Sequence, residues 1–393
     1  MARAPVVPRL MIPVSVRSDV PPFQVMEMFK AATKRQATHG DLLLLCVGQP
    51  STPAPRVVRD AVAAAVETQS LGYTDPGGNL DLLTAIAGHY RDEYGVEVDP
   101  DEVLISNGSS GGFSTVLLTA FEAGDAIAMT RPGYPANRSS ALALGLRVLE
   151  VPVDASTRFQ PTIEALEALP QRPRGLVLAS PGNPTGTIIE PERLAELAAW
   201  CSANDVVLLS DEIYHGISFG APCVTARQFS DDAIVMGSFS KYHSMTGWRV
   251  GWSVLPANVR SRAEVLQANL SICAPAVSQV AALAALSPQA RGELDGHVAR
   301  YARNRDLLLR RLPELGITRF APPDGAFYAY VDVSHLTDDS RAWCFEILDR
   351  TGVAMAPGID FDLIEGHRFA RLSFCGSTAD LDEAIDRLCA VTR

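Results

Sequence analysis

AIVMGSFSKYHSMTGWRVGWSV, residues 233–254, is the stretch on which the reading of this chain turns. Its two ends, Ala233-Ile234-Val235-Met236 and residues 250–254, are short apolar runs of strand character. Between them lie one amine, Lys241, two small hydroxyl residues just before it, Ser238 and Ser240, and an arginine eight residues after it, Arg249. A lysine that condenses with a phosphorylated aldehyde needs this equipment. The amine must be neutral to attack, and a nearby cation favours the neutral form. The phosphate is met by hydroxyls and by a guanidinium, whose planar fork matches its oxygens. Ser-x-x-Lys alone is a weak signal, because serine hydrolases use it too.

Outward from this stretch, apolar runs alternate with helical patterns. Residues 103–105, 126–130, 175–179 and 206–209 read as further strands, and residues 113–121 and 192–204 as helices. Such alternation implies an α/β layer around a mostly parallel sheet, and ligands of such sheets bind at the carboxyl ends of the strands. The chain changes character toward its end. Residues 292–312, 341–351 and 378–391 read as helices, and residues 326–332 and 369–374 as strands. This predicts a large domain over residues 46–289. A small α+β domain is expected from residues 290–393 joined by residues 1–45, in which residues 23–38 form one isolated helix.

Two more motifs follow strands. Ser180-Pro181-Gly182-Asn183-Pro184-Thr185-Gly186 is, by itself, a proline and glycine turn. It can also hold Asn183 as a donor to a ring oxygen. Asp211-Glu212-Ile213-Tyr214 is, by itself, an acidic helix N-terminus. It can also set Asp211 against a pyridine nitrogen and Tyr214 against a phenolic oxygen. A carboxylate at that nitrogen keeps it protonated and makes the ring an electron sink. With Lys241, these residues suit pyridoxal 5'-phosphate.

With Asn183, Asp211, Tyr214, Ser238, Lys241 and Arg249 in this order, the chain resembles the class I/II aminotransferases of the fold type I pyridoxal-phosphate superfamily, from about residue 40 onward. That family carries Asn-Pro-x-Gly, Asp-x-x-Tyr, and Ser-x-x-Lys followed by Gly-x-Arg. The resemblance implies a seven-stranded sheet between helices and further site residues. Asn107-Gly108-Ser109-Ser110 is similar to the family's phosphate cup, where the amides of Ser109 and Ser110 open a helix. Tyr134, in Pro132-Gly133-Tyr134-Pro135, resembles the aromatic that stacks on the cofactor. Tyr73 resembles a tyrosine that reaches the phosphate of the neighbouring subunit, which implies a homodimer. Arg371 resembles the arginine that grips the substrate carboxylate, and Gly48 the glycine whose backbone meets it. Gly325-Ala326-Phe327-Tyr328 resembles a turn with a structural role. Ser110 stands where some bacterial aspartate aminotransferases carry a lysine, so that route to aspartate specificity is missing.

The resemblance implies a ping-pong transfer of an amino group between an L-amino acid and a 2-oxo acid. Lys241 would hold the cofactor and move the α-proton, and Asp211 and Tyr214 would act on the ring. A C–S lyase, a cyclase or an oxidase on the same scaffold is the alternative, because the fold does not decide the reaction. The identity of the donor is not legible. Among the 393 residues, 34 are basic and 45 acidic, so the net charge of -11 offers no footprint for nucleic acid. Seven scattered cysteines without a Cys-x-x-Cys pair read as reduced thiols of a cytoplasmic protein. The histidines show no metal spacing. No signal peptide is expected over residues 1–13, and no membrane span anywhere.

Overall fold

The apolar runs that bracket Lys241 pair with each other. In the computed structural model, which describes residues 11–392, they are antiparallel neighbours, with Val235 opposite Val254 and Ser238 opposite Gly251. In chain order the strands are β1 (Leu43–Leu44), β2 (Val103–Ser106), β3 (Ala126–Arg131), β4 (Arg147–Pro152), β5 (Gly175–Ala179), β6 (Val207–Asp211), β7 (Ile234–Ser238), β8 (Gly251–Val254), β9 (Tyr328–Asp332), β10 (Val353–Ala354), β11 (Ala356–Pro357) and β12 (Phe369–Ser373).

Seven of them form one sheet in the order β2-β8-β7-β6-β5-β3-β4. Only β8 runs against the rest. The central strands are buried along almost their whole length, as strands covered on both faces must be. One face packs against Leu82, Ile86, Leu194, Leu197 and Ala281. The other packs against Phe113, Val116 and Leu117 of the helix Gly108–Ala120 and against Ala263. The strand β4, absent from the sequence expectation, lies at the edge. Its Arg147 is exposed and its Glu150 half-buried, so the run lacks the apolar signature of the central strands.

A second core gathers the rest. The antiparallel sheet β11-β12-β9 and the parallel pair β1-β10 lie in it. The helices Pro288–Arg311, Ser340–Thr351 and Thr378–Thr392 fall where their periodicity places them. Val25, Met28 and Ala32 of the helix Gln24–His39 pack into this core with Tyr301, Ile347 and Leu388. The N-terminal helix therefore packs against residues from the end of the chain.

One local expectation is corrected. Asp211 opens no helix: it is the last residue of β6, and the chain turns immediately after it. Among the described residues, no helix is long and apolar enough to cross a membrane. Nor is there a group of three or more His, Cys, Asp or Glu that could hold a metal. All seven cysteines are free. The reading of residues 1–13 falls mostly on residues 1–10, which lie outside the described residues.

Candidate active site

The helix Gly108–Ala120 starts directly after β2, and its N-cap Asn107 makes no side-chain cap. The first amides of a helix have no partner within it, so those of Ser109 and Ser110 are available to an anion. Two missing side chains shape this spot. Gly108, at φ +73°, leaves the space that the Arg249 guanidinium fills. Gly251 lets β8 approach so closely that a Cβ there would stand 2.7 Å from the Ser109 nitrogen. Arg249 is itself left-handed, at φ 51°, and donates to the Thr246 carbonyl at 3.0 Å. Among the described residues no carboxylate pairs with it. A helix start and an uncompensated arginine converge on one point, which is the chemistry of a phosphate site.

Lys241 follows β7. Its Nζ donates to the Gly48 carbonyl at 2.9 Å. Burial pushes the amine down to about 8, and Arg371 and Arg249 push it the same way against Cys375 and Asp211. The cation effect expected from sequence is therefore present but secondary to burial. Asp211, at the end of β6, accepts from Asn137 Nδ2 at 3.3 Å and from the Ile213 amide at 3.4 Å. Burial pushes it up to about 6 despite those bonds. A cationic ring nitrogen beside it would reverse that shift. The Tyr214 hydroxyl is 2.8 Å from that of Tyr328.

Arg371 comes from β12, in the second core, and reaches across to the large sheet. Its Nη1 donates to Asn183 Oδ1 at 2.9 Å and its Nη2 to the Cys46 carbonyl at 2.5 Å. The guanidinium lies between two rings, 4.3 Å from the centroid of Tyr328 and 4.7 Å from that of Phe361. Its Nε is buried without a partner. Buried charge without a counter-ion is costly, so a carboxylate in the cavity would meet an unmet need.

These groups line one cavity of about 260 Å³. Gly48, Ser109, Ser110, Tyr134, Asn183, Asp211, Tyr214, Ser240, Lys241, Arg249 and Arg371 all face it. Two residues singled out from sequence do not. The Ser238 hydroxyl accepts from the Ser240 amide at 3.1 Å, and Ser238 lines a neighbouring cavity instead. Tyr73 is 84% exposed and outside the cavity of its own chain. Sequence reasoning missed Asn137, Thr246 and Tyr328, along with an apolar rim of Phe23, Val25 and Met26. Asn137 was findable: it stands three residues after Tyr134, on the next turn of the helix Pro135–Ala143. The rim had no local signal, because it arrives from the other end of the chain.

Known proteins resemble this chain in sequence and in fold. The family model for aminotransferase class I and II matches residues 40–388. A valine–pyruvate aminotransferase of Mycobacterium tuberculosis is 51% identical over 377 residues, 95% of this chain and 97% of that protein. A crystal structure of an aminotransferase from Mycobacterium tuberculosis superposes with a TM-score of 0.95 at 50% identity, covering 97% of this chain and 99% of that one. The aspartate aminotransferase of Thermus thermophilus with maleate superposes with a TM-score of 0.92 at 27% identity, covering 97% of this chain and all of that one. The chain belongs to the class I and II aminotransferases.

Proposed function

We propose that this aminotransferase works with pyridoxal 5'-phosphate and takes its amino group from a small aliphatic L-amino acid, valine first, with a 2-oxo acid of pyruvate's size as acceptor. The observation that carries the reading is one cavity in which an amine that burial pushes down to about 8, Lys241, faces an arginine, Arg371, whose Nε lacks a partner. The residues fit the cofactor. The uncapped amides of Ser109 and Ser110, the Ser240 hydroxyl and Arg249 suit its phosphate, with Ser238 holding Ser240 in place. Tyr134 suits a place against the ring, and Asn183 and Tyr214 the ring oxygen.

Pyridoxal phosphate, when bound, supplies a ring that accepts the electron pair of the breaking Cα–H bond. Everything else falls to this chain. Arg371 binds the substrate carboxylate and thereby fixes which Cα bond faces the ring. The Lys241 Nζ takes the α-proton and returns it, and an amine whose pKa burial pushes down to about 8 suits both directions. Asp211 holds a proton on the ring nitrogen. Tyr214 donates to the ring oxygen.

Valine is favoured by the walls. Phe23, Val25, Met26, Val47, Phe113 and Ile213 offer an apolar surface to a side chain. Among the described residues, no cation beyond Lys241, Arg249 and Arg371 lines the cavity to take a second carboxylate. The 51% identical relative is a valine–pyruvate aminotransferase.

We also read residues 46–289 as the cofactor-binding domain, with residues 1–45 and 290–393 as the second. The packing of the helix Gln24–His39 with the chain's last helices supports this. The active unit is read as a homodimer. Tyr73 stands exposed, as a residue serving a neighbour's phosphate would, and Leu80, Leu270 and Ile272 are exposed apolar residues. Free cysteines throughout are in keeping with a cytoplasmic location.

The test is absorbance of the cofactor-loaded protein after each of a panel of amino acids, with no 2-oxo acid present. Valine should convert the band to that of the pyridoxamine form, faster than aspartate by at least tenfold. Release of ammonia from a single substrate, without that conversion, would overturn the transfer reading in favour of a lyase.

A further inference from the structure

Tyr328 opens β9 directly after the turn at Ala326 and Phe327, a segment whose resemblance is to a structural feature, yet the tyrosine touches both working ends of the cavity. Its hydroxyl is 2.8 Å from the Tyr214 hydroxyl. Its ring lies under the Arg371 guanidinium, 4.3 Å from Cζ to centroid. The Tyr214 ring meets it edge-on at 5.6 Å and 80°. Gly48 makes the room, since any Cβ there would overlap the Tyr328 hydroxyl. The Gly48 carbonyl in turn accepts from Lys241. Tyr328 is 1% exposed, so none of these contacts is shared with bulk water.

We propose that Tyr328 is a positioning residue that aims the Tyr214 proton into the cavity; the inference rests on the pyridoxal-phosphate reading above. Each phenol has one proton and can also accept. Burial raises both hydroxyls far above the ordinary tyrosine value, so both stay protonated. Tyr328 is the only side-chain hydrogen-bond partner of the Tyr214 hydroxyl among the described residues. If Tyr214 gives its proton to an oxygen in the cavity, the contact between the two hydroxyls must then use the proton of Tyr328. Arg371 on the ring and Gly48 beside the hydroxyl hold Tyr328 where it can do this. A donor behind Tyr214 also polarises it and makes it a stronger donor in turn. A stronger donor stabilises negative charge on the cofactor's ring oxygen. It therefore lowers the pH at which the lysine–cofactor linkage loses its proton.

The experiment is a pH titration of the visible absorbance of the loaded protein, wild type against Tyr328→Phe. The ring and its stacking on Arg371 survive this change, and only the hydroxyl is lost. The midpoint should rise by roughly 0.2–0.6 of a pH unit. An unchanged or lower midpoint overturns the proposal. Should Tyr328→Phe fail to fold with the Tyr214 oxygen unpartnered, Tyr214→Phe and the double variant Tyr214→Phe/Tyr328→Phe replace it. Those two should share one midpoint, because Tyr328 acts only through Tyr214; different midpoints overturn the proposal. Failure of the underlying reading looks different: the wild type itself would then show no visible band that titrates.

Discussion

Two cavities of equal size, each about 260 Å³, share the turn at residues 211–216 as a wall. Asp211 and Tyr214 line the first, Glu212 and His215 the second, and Ile213 touches both. Their electrostatics are opposite. The first collects Lys241, Arg249 and Arg371 against the single carboxylate of Asp211. The second collects His89, His215 and His243, which burial pushes down to about 4, 3 and 3, so all three are neutral at pH 7. Its Glu212 is pushed up to about 7 by burial, and Arg291 at its rim is already paired with Glu93. Volume therefore does not make an anion site. Burial strips the charge from histidine and weakens it on lysine, whereas arginine keeps its charge under the same treatment. The first cavity is electropositive because its charges are mostly guanidinium.

The comparison breaks most sharply at Lys241. Lys241→Ala should lower the rate of the valine half-reaction by about 10³-fold or more. Cofactor should still bind through the phosphate cup, so binding by equilibrium dialysis separates lost chemistry from lost binding. Retained turnover would remove Lys241 from the mechanism.

Arg371→Lys keeps the charge and loses the fork. We expect kcat/KM for valine to fall about 10²-fold, measured by steady-state kinetics. A change below threefold would mean that another group takes the carboxylate.

The lowered pKa of Lys241 sets a pH dependence. Only the neutral amine attacks an aldehyde, so condensation of the apoprotein with the cofactor should speed up about tenfold per pH unit and level off above about 8. Stopped-flow absorbance reads this directly. A rise continuing beyond pH 10 would show an amine that burial does not perturb.

The smallest effect belongs to the second cavity. His215→Gln should leave kcat/KM within about threefold and lower Tm by a few degrees through lost packing and the lost contact with Tyr94, which is 2.8 Å from His215 Nδ1. It should also soften acid unfolding. The unfolded chain protonates this ring at its ordinary 6.5 and the folded chain only at about 3, so the native state loses stability as pH falls through that window. Glu212, raised by burial, acts in the opposite sense. A large loss of activity in His215→Gln would dissolve the distinction between the cavities.

Much of this was legible in the chain. Asn183, Asp211 and Lys241 were found because each sits at or just after the carboxyl end of a strand whose apolar run announces it. Ser109 and Ser110 came from the family resemblance, and they do stand at the start of a helix that directly follows a strand. Tyr328 was read as structural and its place in the cavity was not legible, since a tyrosine after a turn looks the same whether its hydroxyl meets water or Tyr214. Ser238 was read from its motif as a hydroxyl for the phosphate; its oxygen accepts from the Ser240 amide and the residue lines the neighbouring cavity. The edge strand β4 was passed over because its outward-facing charges break the apolar run.

By itself, then, the sequence determined the layered α/β architecture and the order of the motifs, because strand ends and helix starts are local consequences of local residues. Only the tertiary structure decided which groups share a cavity. Arg371 meets Asn183 across 188 residues and Lys241 meets Gly48 across 193. The rim of Phe23, Val25 and Met26 arrives only when the first helix packs into the core built by the last. Such meetings follow from burial of apolar surface over the whole chain, and no short window of residues encodes them.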